Sequence, residues 1–283
     1  MTGAKKRRSQ RRSLGTAIIN APYLLWAALF ILIPLFIVLY YAFTDGNGSF
    51  TFDNLKHLTD YTDVMIRSLW YSLAATFLTL LIAYPFVYII CKFRPASQKM
   101  ANLFIMLPMW INLLIRTRCL ATLMEQNGVI NQFMAFLGFG KLPLYHNTGA
   151  VIFGMVYNYL PYMILPIYNV MSRIDPLLLE AASDLGCNTP SRVRRVIFPL
   201  TVPGVISGII MVFVPSVSTF YISKAMGGTG DLMIGDQIEE LALKQNNLPV
   251  AAMLSTLLMA LILISTLILN RFSSDEEGGS MLI

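Results

Sequence analysis

Residues 175–200 read D-P-L-L-L-E-A-A-S-D-L-G-C-N-T-P-S-R-V-R-R-V-I-F-P-L. Asp175 followed by Pro176 is a helix start: a side-chain cap, then a residue whose fixed φ suits the first helical position. Gly186, just past the last apolar position at Leu185, is a stop, and Thr189 with Pro190 repeats the start. The punctuation predicts two short helices, Pro176 to Leu185 and Pro190 to Phe198, inside a loop over 172–201. Leu177, Leu178, Ala181, Ala182 and Leu185 fall mostly on one face of the first, with Asp184 off it and Glu180 near its edge. A helix this short crosses no bilayer. Its apolar stripe either packs on its own chain or docks into a groove of another subunit, and the pattern alone leaves both open.

On either side of this loop the chain is strongly apolar. Of 283 residues 56% are hydrophobic and 13% charged, with a mean hydropathy of +0.63, whereas a soluble domain is about 25% charged. A soluble fold and a disordered chain are both excluded on those figures. Runs long enough to cross about 30 Å of hydrocarbon as helices are expected at Tyr23 to Phe43, Ser68 to Cys91, Leu103 to Leu123, Gly149 to Met171, Val202 to Tyr221 and Val250 to Leu269. Lipid offers no partner to backbone groups, so the fold class is an all-α polytopic membrane protein with six transmembrane helices. Prolines stand inside five of these runs, at Pro34, Pro85, Pro108, Pro161 with Pro166, and Pro215, and each removes a backbone hydrogen bond and kinks its helix.

Lys and Arg set the orientation, because loops on the cytoplasmic side carry the excess. Lys5, Lys6, Arg7, Arg8, Arg11 and Arg12 precede the first run; Lys92, Arg94 and Lys99 follow the second; Arg173, Arg192, Arg194 and Arg195 follow the fourth; Arg271 follows the sixth. That side holds fourteen bases, and the other holds five: Lys56, Arg67, Lys141, Lys224 and Lys244. The expected organisation is a basic cytoplasmic tail over 1–22, a membrane domain over 23–271 and a cytoplasmic tail over 272–283, with both termini inside. The basic run, followed by a 21-residue apolar stretch without a cleavage signal, reads as a topology determinant and not as a nucleic-acid arm or a signal peptide.

None of the six runs contains Asp, Glu, His or Lys. Proton-driven carriers usually need such a group at membrane depth, and sodium coupling through carbonyls is the form of secondary transport left open. Both histidines, His57 and His146, fall in external loops, so no Ser-His pair or H-E-x-x-H site exists in the membrane and no catalytic residue is assigned. Cys91, Cys119 and Cys187 are too scattered for a disulfide framework or a metal site, and no metal is expected. Gly138, Phe139, Gly140 and Lys141 are a poor phosphate loop, with Ala135 for the required Gly and Leu142 for Ser or Thr, and read as a turn. ATP-driven transport would need another chain's engine.

Glu180, Ala181, Ala182, Asp184, Leu185 and Gly186, followed by Val196, Phe198, Pro199 and Leu200, resemble the E-A-A, then G, then I-x-L-P signature of permease subunits of ATP-binding cassette (ABC) importers. Phe198 stands where many members have Leu. The resemblance implies a type I importer permease (MetI-like) fold in a bacterial cytoplasmic membrane. It also implies a coupling helix seated in a cleft of an ATPase, with Glu180, Ala181, Ala182, Asp184, Leu185, Gly186 and Pro199 as coupling residues. No cofactor is expected on this chain, since ATP and Mg would be held by the partner ATPase. Leu107 to Arg116 (L-P-M-W-I-N-L-L-I-R) and Phe220 to Asp236 (F-Y-I-S-K-A-M-G-G-T-G-D-L-M-I-G-D) are similar to the polyamine permeases, for spermidine and putrescine. That branch implies a heterodimer with a second, PotC-like permease, two ATPase subunits and an external polyamine-binding protein. The longer basic tail and Arg118 depart from it. A permease for another small substrate is the alternative within the fold, and a single-chain secondary carrier is the alternative outside it.

A polyamine is a flexible polycation whose path should offer carbonyls, aromatic faces or carboxylates. With carboxylates missing from the runs, Trp110, Asn112, Tyr157, Tyr159 and Tyr221 are the expected substrate path, drawn from a set that includes Asn158, Tyr162 and Phe220. Trp110 and Tyr221 are expected to form an aromatic constriction, although each also reads as an interfacial or packing aromatic. Arg116 and Arg118, the only charges in the runs, each cost roughly 2.5–3.5 kcal/mol at the bilayer centre. They are expected to be a structural or gating pair reaching the interface or Glu125. The external loops hold nine acids against five bases, and Asp231 and Asp236, in the glycine-rich then amphipathic segment from Gly227 to Glu240, are the expected binding-protein contacts.

Overall fold

The computed structural model describes residues 22–45, 48–138, 140–228 and 230–279. The six bases of the amino tail, Phe139 and the last residues of the carboxy tail lie outside them. α1 spans Pro22–Ala42. Its turn at Ala28–Leu32 is widened to a π-helix just before Pro34, which is where the proline ring would otherwise press on the carbonyl four residues back. A 3₁₀ segment, Asp53–Tyr61, leads into α2, Thr62–Ile90.

The third run is not one helix. α3 (Pro95–Met106) continues as a 3₁₀ turn over Leu107–Trp110 and stops, and α4 (Leu113–Met124) starts afresh, with α5 (Val129–Phe136) after it. The two halves meet at 95°. The cause is local: Pro108 has no N–H to give, Ile111 turns extended, and the Asn112 side chain accepts from the Leu114 N–H at 2.8 Å, capping a new helix. Among the described residues, the expected six continuous spans are therefore five long apolar helices, with a sixth crossing if this bent pair counts as one.

α6 (Thr148–Met171) is capped by Asn147 and followed by the short α7 (Pro176–Asp184). The expected second short helix is instead the beginning of α8, which runs unbroken from Thr189 to Val217. Its π turn at Val193–Ile197 precedes Pro199 and takes up that ring as the earlier one does for Pro34. α8 ends before Tyr221, which the sequence placed at the span's end. The chain then forms α9 (Ile222–Met226), α10 (Ile234–Leu243) and α11 (Leu248–Gly279).

α6 is the central helix. Met155, Met163, Ile164 and Ile167 pack with Ala75, Ala83 and Val87 of α2 and Val205 and Val212 of α8 in one buried cluster. α8 can lie close to α6 because a Cβ at Gly204 would stand 2.9 Å from the Pro166 carbonyl oxygen, and one at Gly208 would stand 2.7 Å from the Met163 sulfur. That spacing is the G-x-x-x-G pattern of close-packed membrane helices. A second cluster joins Phe213 and Val217 to Ile234, Leu241, Val250, Ala251 and Leu254. α1 packs on α11, and the most apolar stretch of α1 is wholly unburied within the subunit.

Candidate functional site

The connection after α6 is built as its punctuation predicts. Asp175 accepts from the Leu177 N–H at 2.9 Å. At the other end Gly186 takes φ +79°, a conformation that a Cβ resists. The Gly186 N–H then reaches Ser183 O at 2.9 Å, and the Cys187 N–H reaches Ala182 O at 3.0 Å. These two bonds close the helix on itself and satisfy its last carbonyls. Asn188, rather than Thr189, caps α8, accepting from Ser191 N–H at 3.0 Å, and Arg192 donates back to the Ser183 hydroxyl at 2.6 Å. The apolar stripe divides into a side packed on its own chain and a side left open. Ala182 is buried and Leu179 packs on the core, while Leu177, Leu178 and Leu185 stand 68%, 52% and 87% exposed. Ala181, Glu180, Asp184 and Pro199 are exposed as well.

The elbow between α3 and α4 carries Trp110, 78% exposed, and Asn112, whose side chain is committed to its cap. Arg116 and Arg118 do not act as a pair: Arg118 is exposed and Arg116 is buried. Nor does Arg116 reach Glu125. Its Nε donates to Asn158 Oδ1 at 2.7 Å, Nη1 to the Pro108 carbonyl at 2.9 Å and Nη2 to the Asn158 carbonyl at 3.4 Å. Asn158 in turn donates to Thr117 Oγ1 at 3.1 Å and to Gly154 O at 2.8 Å.

The aromatic residues separate. Tyr159 is buried and donates to the Pro215 carbonyl at 3.2 Å, so it packs α6 on α8 and lines no open path within the subunit. Tyr157 is exposed, Tyr221 is half-buried against the main core, and no ring contact joins Tyr221 to Trp110 among the described residues. An open groove of about 400 Å³ lies between α6 and α8, lined by Tyr162, Pro166, Asn169, Gly204, Ser207 and Met211. Asn169 and Ser207 had no signal in the sequence beyond being polar in an apolar run.

The loop between α9 and α10 uses its acids internally. Asp231 accepts from Tyr71 Oη, Thr148 Oγ1 and the Gly228 N–H, each at 2.8 Å. Burial pushes its carboxyl up, but the Gly228 N–H and the two hydroxyls outweigh this and hold it below the ordinary carboxylate range. Asp236 is 1% exposed, accepts from Ser223 Oγ and from the Met233 N–H, and has no partner for Oδ1 among the described residues. Here burial outweighs the Ser223 and Met233 bonds and raises the pKa. The expectation that Asp236 meets a partner protein is corrected: it anchors the start of α10. Lys224, paired with Glu239 at 2.8 Å, is held above its ordinary value mainly by that bond. Tyr145 and His146 tie the preceding loop to Ala225 and Gly227 carbonyls at 3.0 and 2.9 Å.

An all-helical membrane chain with an exposed, capped helix between two long spans is the arrangement of an importer's membrane component. The chain belongs to the family of binding-protein-dependent transport system inner membrane components, whose profile matches residues 4–275. Among curated proteins it is 37% identical over 251 residues to the spermidine/putrescine transport system permease protein PotB of Haemophilus influenzae, covering 84% of this chain and 88% of that one. It is 34% identical to PotB of Escherichia coli, covering 84% and 92%. Among solved structures it resembles a chain of a bacterial ABC transporter that imports the acidic polysaccharide alginate, with a TM-score of 0.76 at 17% identity over 96% of this chain and 99% of that one. It also resembles a chain of the MetNI methionine transporter, with a TM-score of 0.55 at 17% identity over 77% and 98%. Those likenesses establish the fold, a MetI-like permease, and the family makes this a transport subunit.

Proposed function

We propose that this chain is the permease half of an ABC importer for polyamines, spermidine or putrescine, working beside a second, PotC-like permease, two ATPase subunits and an external binding protein. The observation that carries the coupling is the outward edge of α7: Leu177, Leu178 and Leu185 are exposed on a helix whose ends are fixed by Asp175 and Gly186. Isolated apolar residues on a surface need no explanation, but a rigidly capped helix presenting three leucines suits a partner's groove. Glu180 beside them supplies a charge for a basic residue of the ATPase, and Ala181, Ala182, Asp184, Gly186 and Pro199 shape and orient the helix. ATP and Mg belong to the ATPase. The substrate class is supported by the similarity, over most of both chains, to spermidine/putrescine permeases.

The substrate's way through the membrane is assigned to a face shared with the second permease, to which the exposed Trp110, Asn112 and Tyr157 would contribute directly, with Tyr159 as buried support and the half-buried Tyr221 at its edge. Asp231 holds the external loop that the binding protein meets. Both termini are assigned to the cytoplasm of a bacterial cell, from the fourteen-to-five distribution of Lys and Arg. Replacing Glu180 by Lys is expected to lower ATP-dependent polyamine uptake at least about tenfold, the effect of turning one charge-assisted contact into a repulsion. The permease should remain in the membrane at normal abundance. Unchanged uptake, or uptake lost only in step with the protein, would remove Glu180 from the coupling contact.

A further inference from the structure

We infer that Arg116 is the positioning residue of the elbow: its buried guanidinium clamps the Pro108 carbonyl to Asn158, so that Trp110 and Asn112 are held in fixed relation to α6. The geometry is that of a three-point clamp. Nε–H and Nη2–H both go to Asn158, to its side-chain and main-chain oxygens, while Nη1–H goes to Pro108 across the break. A guanidinium is planar and presents its donors as a rigid fork, which lets one side chain bind two elements at a set angle. Away from the break, both arms of the bend pack on α6, and Tyr168 Oη donates to Gln98 Oε1 at 3.0 Å. At the break the bend's own backbone supplies one bond, Ile111 N–H to Pro108 O at 3.2 Å, and the Asn112 cap only starts α4.

Asn158 extends the clamp in two directions. Its amide donates to Thr117 Oγ1 on α4 and to Gly154 O on α6, so α3, α4 and α6 converge on one polar node in an apolar surround. Among the described residues the node contains no acid, and Arg116 is 7% exposed. A buried cation held only by carbonyl and amide oxygens is costly unless its geometry is kept, which makes the node stiff. The far end of α6 leads through Asp175 into α7. A displacement of α6 is thereby carried to the elbow and to the exposed Trp110 ring.

The proposal rests on the reading of Trp110 as part of the transport path, and its test has one arm that does not. The chain has three tryptophans, so Trp26→Phe with Trp70→Phe leaves Trp110 as the sole reporter. In the purified full chain, Arg116→Met and Arg116→Lys are expected to lower Trp110 fluorescence anisotropy and raise its quenching by acrylamide. Lys carries the charge but cannot span Pro108 and Asn158 together. Asn158→Asp, which keeps both acceptors for Arg116 but loses the donors to Thr117 and Gly154, is expected to fall between the parent and Asn158→Leu, which loses the signal. In cells containing the whole transporter, Arg116→Met and Arg116→Lys are expected to raise KM for polyamine uptake about tenfold, the effect of losing one charge-assisted hydrogen bond, with a smaller change in kcat per assembled complex. Parent-like anisotropy in Arg116→Met overturns the proposal, as does Arg116→Lys behaving like the parent, which would make charge and not the fork the requirement. Variants that lose only abundance, with unaltered KM and anisotropy in what remains, would make Arg116 a folding residue and overturn it too. If the parent complex takes up no polyamine, the substrate reading fails while the anisotropy arm still decides the clamp.

Discussion

Asp231 and Asp236 lie five positions apart and have their carboxyl pKa values displaced in opposite directions. Asp236 has a folded-state pKa raised by burial, so the stability linked to its proton is full below the ordinary carboxylate range and is lost as pH rises through the raised value. Asp231 is held low by Gly228, Thr148 and Tyr71, and its contribution is present above the ordinary range and lost as pH falls through the lowered value. Asp236→Asn keeps an acceptor for the Met233 N–H and removes the buried charge, so its melting temperature at neutral pH is expected to match or exceed that of the parent. The two should converge toward acid pH. Asp236→Ala removes the acceptor from the first turn of α10 and is expected to cost about 1 kcal/mol. Thermal unfolding of the purified protein across pH 4 to 8 checks both. In the sequence these acids looked equivalent, because charge can be counted there and burial cannot. Arg116 and Arg118 show the same thing, two residues apart and placed on opposite sides of the same helix.

Helices were legible where their ends carry chemistry. Asp175, Pro176 and Gly186 mark α7 to within a residue because cap and turn residues act on their immediate neighbours. The break at Ile111 was not read, although Pro108 and Asn112 are both visible, because a hydropathy run adds up apolarity and is blind to direction. The start of α8 was missed for a related reason. Arg192, Arg194 and Arg195 end the apolar run, but they do not end the helix. The Gly204 and Gly208 pair was present as a spacing and became meaningful only when Pro166 and Met163 were found against it. Gly204→Val puts side-chain atoms where the Pro166 carbonyl lies, and backbone cannot step aside as a flexible side chain does. It is expected to destabilise the protein by about 1–3 kcal/mol, read as a lower melting temperature. Ser207→Ala, exposed at the open groove with its hydroxyl bonded to the Pro203 carbonyl of its own helix, is expected to melt as the parent does.

For the molecule as a whole, orientation is the property that charge fixes. A reporter enzyme active only outside the cytoplasm is expected to be active when fused after Leu142 and inactive when fused after Ile174 or Arg271; the reverse pattern would invert the assignment of α7 to the ATPase side. The subunit has its core around α6, and α1 joins it by packing on α11 while its most apolar stretch stays unburied. The bend in the third crossing has an electrostatic consequence. Breaking a helix inside an apolar surround creates a carbonyl terminus there, and such a terminus carries roughly half a negative charge from its aligned peptide dipoles. The terminus of the Leu107–Trp110 turn, through Pro108 O, lies against the Arg116 guanidinium. The buried arginine is thus partly offset by backbone and amide dipoles in place of a carboxylate. A membrane interior without acidic side chains can therefore hold a fixed cation whose local field is softened, though not cancelled, by backbone dipoles.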